Sequence, residues 1–235
     1  MKSLLCIALV SVFLMDTQQM TQESSLFYLY REPLIKIKQP PLLLLMHGMG
    51  SNEEDLFSFA DQLPEKFLVV TPRAPYTIQK SSYAWYEMHF ENGKPINNKK
   101  QAEESRKTIL NFIDQLKKKH DFDESQVYLC GFSQGGIMAY SVALTKPDKI
   151  AGVGVLSGRL LDETKTSIAP EEQLKKLRVF ISHGTQDQVL NIDYARASNA
   201  YLKQLHLAPQ YKEYPEGHTI SRDMLSDFIV WLNKE

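Results

Sequence analysis

Short apolar runs alternate along this chain with longer segments of helical period. Residues 42–46 (LLLLM) form a continuous apolar run, bounded by Pro40-Pro41 and His47-Gly48. A run with no polar face predicts a strand buried on both sides. Four further runs have the same character: residues 67–71 (FLVVT) closed by Pro72, residues 127–130 (VYLC) ending at Gly131, residues 150–156 (IAGVGVL), and residues 179–182 (VFIS) ending at His183-Gly184. Residues 211–214, closed by Pro215, predict an edge strand, and residues 26–30 predict an additional antiparallel edge strand.

Helical patterns fill the intervals. Ser51-Asn52-Glu53-Glu54 places Glu three residues after Ser, a capping-box pattern ahead of Leu56, Phe59 and Leu63. Within residues 102–119, Ile109, Phe112, Ile113 and Leu116 share one helical face. Residues 137–145, 194–205 and 221–233 complete the predicted set. Strand–helix alternation of this kind predicts an α/β fold, a mostly parallel central sheet with helices on both faces. No repeat, linker or low-complexity stretch follows residue 20, so residues 24–235 read as a single domain. In such sheets ligands bind beyond the carboxyl ends of the strands, which directs attention to the loop after each one.

Composition narrows the function classes. Of 235 residues, 43% are hydrophobic and 23% charged, ordinary globular values that exclude a disordered chain or a collagen-like repeat. The 27 basic and 28 acidic residues leave a net charge of −1, with no global pull toward nucleic acid or an anionic membrane. The run Lys117-Lys118-Lys119 falls at a helix end, where the dipole favours it, and Lys99-Lys100 reads as a solvated loop. The two cysteines, Cys6 and Cys130, are too few for a disulfide framework or a cysteine zinc site.

The N-terminus stands apart. Lys2 precedes a mostly apolar stretch, residues 3–15. As a helix it would be about 20 Å long, against roughly 30 Å of bilayer hydrocarbon, so no stable membrane span is expected. The lengths suit a signal peptide, although no small-x-small triplet follows Met15. Two readings of residues 1–20 stand: a signal peptide on an exported protein, or a non-native extension of a cytoplasmic protein that starts at Met15 or Met20.

The candidate chemistry begins where the third apolar run enters Gly131-Phe132-Ser133-Gln134-Gly135-Gly136, with a helical pattern after it. This is G-x-S-x-G in the setting it requires, strand then tight turn then helix, and it makes Ser133 the candidate nucleophile. The bland alternative is a glycine-rich turn whose serine only caps the helix. A serine hydroxyl needs a base, and the base needs an orienting acid, in the chain order Ser, Asp or Glu, His. Asp187 follows the fifth run and His218 follows the sixth, so each occupies a strand-end loop in the required order. His120 and His206 read as solvated helix-end residues, His89 as a loop residue, His183 as shaping the Asp187 loop, and His47 as out of order. Asp162, after the fourth run, is the alternative acid. A metal at His183, Asp187 and His218 would lack a further strong donor and would leave the serine motif unexplained. Oxyanion donors are expected from the Gln134 N–H and from the glycine-rich loop His47-Gly48-Met49-Gly50, at the Met49 N–H with Gly48 as the alternative.

Together HGMGSNEEDL, GFSQGG, HGTQDQV and Gly217-His218, in this order, resemble the phospholipase/carboxylesterase family of α/β-hydrolases, which includes acyl-protein thioesterases and small bacterial carboxylesterases. The likeness spans residues 26–235. Pro72-Arg73-Ala74-Pro75 with Ala84-Trp85-Tyr86 is similar to the family's acyl-pocket stretch, and Leu156-Ser157-Gly158 to its segment after the fourth strand. The resemblance implies a Ser133–Asp187–His218 triad, oxyanion donors at Met49 and Gln134, ester or thioester substrates and no cofactor. Many members carry Leu where Met49 stands, which leaves a backbone donor intact; the eukaryotic acyl-protein thioesterases lack an apolar extension like residues 1–20.

Apolar residues near these loops (Met49, Trp85, Tyr86, Phe132, Leu160, Leu161 and Val189) are expected to form a pocket for a short to medium acyl chain. The expected activity is that of a serine carboxylesterase acting on small-molecule esters or thioesters through an acyl-enzyme, by a monomer or homodimer. The alternatives are lysophospholipase, lactone hydrolase or peptidase chemistry on the same fold, or a non-catalytic binder.

Overall fold

In the computed structural model, which describes residues 25–91 and 94–234, eleven strands and seven α-helices follow one another, and the seven strands of the polarity pattern are among them. Residues 1–20 with Cys6, read as a signal peptide or a non-native extension, lie outside the described residues. The order is β1 (Tyr28–Arg31), β2 (Pro41–Met46), α1 (Glu53–Phe57), β3 (Leu68–Pro72), β4 (Tyr76–Gln79), β5 (Ser82–Ala84), β6 (Met88–Glu91), β7 (Lys94–Asn97), α2 (Lys99–Lys119), β8 (Asp123–Phe132), α3 (Gln134–Thr145), β9 (Gly152–Leu156), α4 (Asp162–Lys165), α5 (Glu171–Leu174), β10 (Arg178–Gly184), α6 (Ile192–Gln204), β11 (Gln210–Tyr214) and α7 (Arg222–Asn233).

Seven strands form the central sheet in the order β1-β3-β2-β8-β9-β10-β11. All neighbours pair in parallel except β1, which runs antiparallel to β3 with Tyr28 opposite Pro72. The antiparallel edge expected at residues 26–30 is thus present. The apolar run of β2 is continuous because both of its faces are covered. Leu42, Leu44 and Met46 point into a core shared with α2, α3 and α6, through residues such as Phe112, Ile137 and Leu202. Leu43 and Leu45 point the other way, onto Leu56 of α1 and Leu225, Phe228 and Trp231 of α7. Among the described residues no helix is long and apolar enough to cross a membrane.

Three details differ from the sequence reading. Asn52, not Ser51, caps α1: its side chain accepts the Glu54 N–H at 2.9 Å, while the Ser51 hydroxyl donates to Asp55 at 2.7 Å. Both residue types are good caps, and the chain's extended conformation at Asn52 decides between them. Lys99-Lys100 is the first turn of α2, capped by Asn98, and not a loop; Lys99 finds Glu163 at 2.8 Å. Two short hairpins, β4–β5 and β6–β7, occupy the interval between β3 and α2, where no apolar run foretold strands.

Candidate active site

Ser133 sits at the turn between β8 and α3. Its backbone is in the left-handed half of the map, at φ 52° and ψ −117°. A non-glycine residue there costs of order 1–3 kcal/mol, which the surroundings must enforce. They do so by contact of bare backbones. A Cβ on Gly135 would lie 2.0 Å from the Met46 carbonyl oxygen, and one on Gly131 would lie 2.2 Å from the carbonyl carbon of Gly135. The Ser133 N–H donates to Leu156 O at 2.9 Å, which ties the turn to β9. The hydroxyl does not cap α3; its Oγ lies 2.9 Å from His218 Nε2.

His218 reaches Ser133 because the loops after β10 and β11 are locked together. Thr185 N–H donates to Tyr214 O at 2.7 Å and Gln186 N–H to Glu216 O at 2.9 Å. A side chain at Gly184 would strike Glu216 O at 2.3 Å. The Nδ1 of His218 then donates to Asp187 Oδ2 at 2.6 Å. The other carboxylate oxygen, Oδ1, accepts the backbone N–H groups of Val189 and Leu190, each at 2.8 Å. His183, fully buried, points its Nε2–H at Leu190 O (2.7 Å) and at Asp187 Oδ2 (3.1 Å). Burial by itself would raise the Asp187 pKa. Hydrogen bonds from His183, His218 and the Leu190 N–H outweigh it and hold the carboxyl well below its ordinary range. His183 therefore shapes the Asp187 loop, as the sequence suggested. Asp162 pairs with Lys165 at 2.8 Å, and the structure does not bring it to His218.

The loop after β2 is held from three sides. His47 Nδ1 donates to Gly48 O at 2.7 Å and its Nε2 accepts the Ala74 N–H at 3.1 Å, which defines a neutral tautomer; burial pushes its pKa down and keeps it so. The indole N–H of Trp85 donates to His47 O at 3.0 Å. Gly50, at φ 87°, turns its N–H to Tyr83 O at 2.8 Å. The Gln134 side chain links this loop's support to the Ser133 turn: its Oε1 accepts the Trp85 N–H and its Nε2 donates to Tyr86 O, both at 2.8 Å. Among the described hydrogen bonds, neither the Met49 N–H nor the Gln134 N–H has a protein acceptor.

These parts open onto a cleft of about 530 Å³. Of the residues expected to line it, Met49, Tyr86 and Val189 do, together with Ser133, Gln134 and His218. Trp85, Phe132, Leu160 and Leu161 do not. Trp85 is fully buried behind the His47 loop, and the Phe132 ring packs on the His218 imidazole at 4.9 Å between centroids. Leu160 and Leu161 turn inward to the core, with the Leu160 N–H on Ser198 Oγ at 3.0 Å. Side chains that the apolar pattern did not single out take their place: Ile78 and Met88 from the hairpins, Ile137, Leu190, Asn97 and Arg159. Three polar groups on this cleft are buried without a partner: the Tyr86 hydroxyl, Asn97 Oδ1 and Arg159 Nε. His206 is exposed beside Glu171 at 2.8 Å, as expected for a solvated residue. His120 is not solvated, since it packs on the rings of Tyr28 and Tyr30.

The sequence model of the Phospholipase/Carboxylesterase family matches residues 35–235. The chain belongs to the phospholipase/carboxylesterase family. Among its relatives, carboxylesterase SOBER1 of Arabidopsis thaliana is 27% identical over 205 residues, covering 82% of this chain and 89% of that protein. Acyl-protein thioesterase 1 of Kluyveromyces lactis is 29% identical over 209 residues, covering 82% and 91%. The crystal structure of Arabidopsis thaliana SOBER1 superposes with a TM-score of 0.69 at 26% identity, over 82% of this chain and 97% of that one. A carboxylesterase from Mesorhizobium loti has a TM-score of 0.79 at 19% identity, over 93% and 99%, a likeness of fold alone. Membership of the phospholipase/carboxylesterase family makes the chain an α/β-hydrolase acting on ester bonds.

Proposed function

We propose that this family member is a serine carboxylesterase that hydrolyses short to medium acyl esters or thioesters through an acyl-enzyme. The observation that carries the reading is the hydrogen-bonded line Ser133 Oγ–His218 Nε2 (2.9 Å) and His218 Nδ1–Asp187 Oδ2 (2.6 Å), opening on the 530 Å³ cleft. Its volume lies within the range of small-molecule sites, about 300–1,000 Å³.

In this mechanism Ser133 Oγ attacks the acyl carbonyl carbon as its proton passes to His218 Nε2. Asp187, held as a carboxylate by its four donors, keeps Nδ1 protonated and stabilises the imidazolium. The Met49 and Gln134 N–H groups, free of protein acceptors, hold the oxyanion. When the tetrahedral intermediate collapses, the imidazolium gives its proton to the leaving alcohol or thiol. Water then attacks the acyl-Ser133 ester, with His218 again accepting the proton, and the carboxylic acid departs. Every one of these groups comes from a single chain, so monomer and homodimer are equally compatible with the chemistry.

Hydrolysis of p-nitrophenyl esters from C2 to C16, by the parent and by Ser133→Ala, tests the proposal. The expected result is activity that is greatest on short chains and falls by about 10⁴- to 10⁶-fold in the variant, the scale of losing a serine nucleophile. A folded parent with no activity on any ester, and no labelling by a fluorophosphonate, would overturn it. Equal rates on C16 and C4 esters would overturn the chain-length assignment.

A further inference from the structure

Arg159 lines the same cleft as Ser133 and His218, in the loop that follows β9. The family pattern assigns it no role, and the apolar pattern passed over it in favour of Leu160 and Leu161. Its guanidinium lies over the Tyr194 ring, 5.3 Å from the centroid. Its Nε is buried with no hydrogen-bond partner. No carboxylate among the described residues pairs with it. The acids that follow it in sequence are already engaged, Asp162 by Lys165 and Glu163 by Lys99, each at 2.8 Å.

The Tyr86 hydroxyl, on the same cleft, is also buried and without a partner. Burial pushes its pKa up, and the nearby Arg159 charge only partly offsets this, so the phenol stays protonated and can donate. The cleft therefore presents a cation whose Nε has no protein acceptor and a neutral phenol whose O–H has none either. Arginine does not deprotonate, so its charge cannot be relieved by losing a proton. A buried donor without an acceptor carries a free-energy cost that a bound acceptor removes. The acceptor that matches the fork of a guanidinium is a carboxylate.

We propose that Arg159, assisted by the Tyr86 hydroxyl, is an anion-recognition subsite, and that the enzyme prefers esters or thioesters carrying a carboxylate near the scissile carbonyl. Monoesters of short dicarboxylic acids are the model class. This rests on Ser133 hydrolysis as proposed above.

The test compares mono-p-nitrophenyl glutarate with p-nitrophenyl valerate, for a charge on the acyl half. It also compares 4-carboxyphenyl with 4-carbamoylphenyl butyrate, for a charge on the leaving half. The quantity read is the ratio of kcat/KM for the charged ester to that for its neutral counterpart. The parent ratio should exceed one for one of the halves, and Arg159→Gln should lower it by about 10- to 100-fold, the worth of a hydrogen bond to a charged group. Free glutarate should inhibit valerate hydrolysis by the parent competitively, while neutral glutaramide should not. That inhibition needs no variant, so it stands even if Arg159→Gln folds poorly. A parent ratio at or below one on both halves would overturn the subsite. So would equal losses on charged and neutral esters in Arg159→Gln, which mark a purely structural arginine. Valerate hydrolysis that is lost in Ser133→Ala reports on the nucleophile alone, so the two proposals can fail separately.

Discussion

The Ser133 turn and the two hairpins contribute to one cleft, yet they are held by different forces. Around Ser133 the backbones touch. Every residue from Gln134 to Leu144 is buried, and the glycines leave no room for a methyl group. The hairpins β4–β5 and β6–β7 are two-stranded and carry the exposed side chains Ile78 (46%) and Ile96 (42%). A lone two-stranded ribbon is marginally stable in water, so these segments depend on docking against the rest. The contrast teaches where precision is needed. Proton transfer and nucleophilic attack fail with small displacements, and the proposed mechanism assigns them to the dense interior around Ser133. Substrate fit tolerates adjustment, and it is assigned to edges that can change without disturbing the core.

The comparison can be broken first at the hydrogen-bonded line. Asp187→Asn should lower kcat by about 10⁴-fold, because the amide cannot hold His218 in the tautomer that accepts the serine proton. The same variant carries a pH signature. The folded-state pKa of Asp187 is depressed, so its carboxylate contributes stability that is fully present above the ordinary carboxylate value of about 3.9. That contribution is lost as pH falls through the lower folded-state value. Urea midpoints should therefore separate parent from Asp187→Asn at pH 7, and the gap should narrow as pH drops below about 4. A gap that widens in acid would contradict the assignment.

Gly135→Ala comes next. The new methyl would meet the Met46 carbonyl oxygen at 2.0 Å, so backbone must move. A loss of about 3 kcal/mol or more in denaturant unfolding is expected, since overpacking against backbone lies at the upper end of such costs. A variant of parental stability and turnover would mean that the Ser133 turn is as adaptable as the hairpins. The smallest effect belongs to the other region. Ile78→Ser should change stability by no more than about 0.5 kcal/mol, as at most exposed positions, while shifting the acyl-length optimum in the ester series. A large loss of stability there would remove the contrast between the two regions.

Much of the sheet was legible because burial on both faces leaves an unbroken apolar run, as in Leu42 to Met46 and Val153 to Leu156. The hairpins were not, since their strands are three or four residues long and alternate, as in Tyr76-Thr77-Ile78-Gln79 and Met88-His89-Phe90-Glu91, with no unbroken apolar run to mark them. Strand β8 begins at Asp123, four residues before its apolar run, for the same reason. Within the site, Tyr86 and Trp85 were indistinguishable as neighbouring aromatics. Only the fold turns one to the cleft and sets the other under the His47 loop. Arg159 was hidden by a general expectation that apolar residues line an acyl pocket, which favoured Leu160 and Leu161; both face the core.

The sequence by itself determined the α/β class, the family and the types and order of the chemical groups: a serine in a glycine-flanked turn, then an acid, then a histidine, each after its own strand. These follow from local sterics and from polarity along a few residues, which a linear text preserves. Tertiary structure alone decided which groups meet and which remain unpaired. His218 lies 31 residues from Asp187 and 85 from Ser133, and their contacts exist only because the parallel strands β8, β10 and β11 end at one edge of the sheet, with β9 between the first two. The unpartnered Nε of Arg159 is of the same kind. Its charge is written in the sequence, but the pairing of Asp162 and Glu163 with other cations is a property of the folded chain.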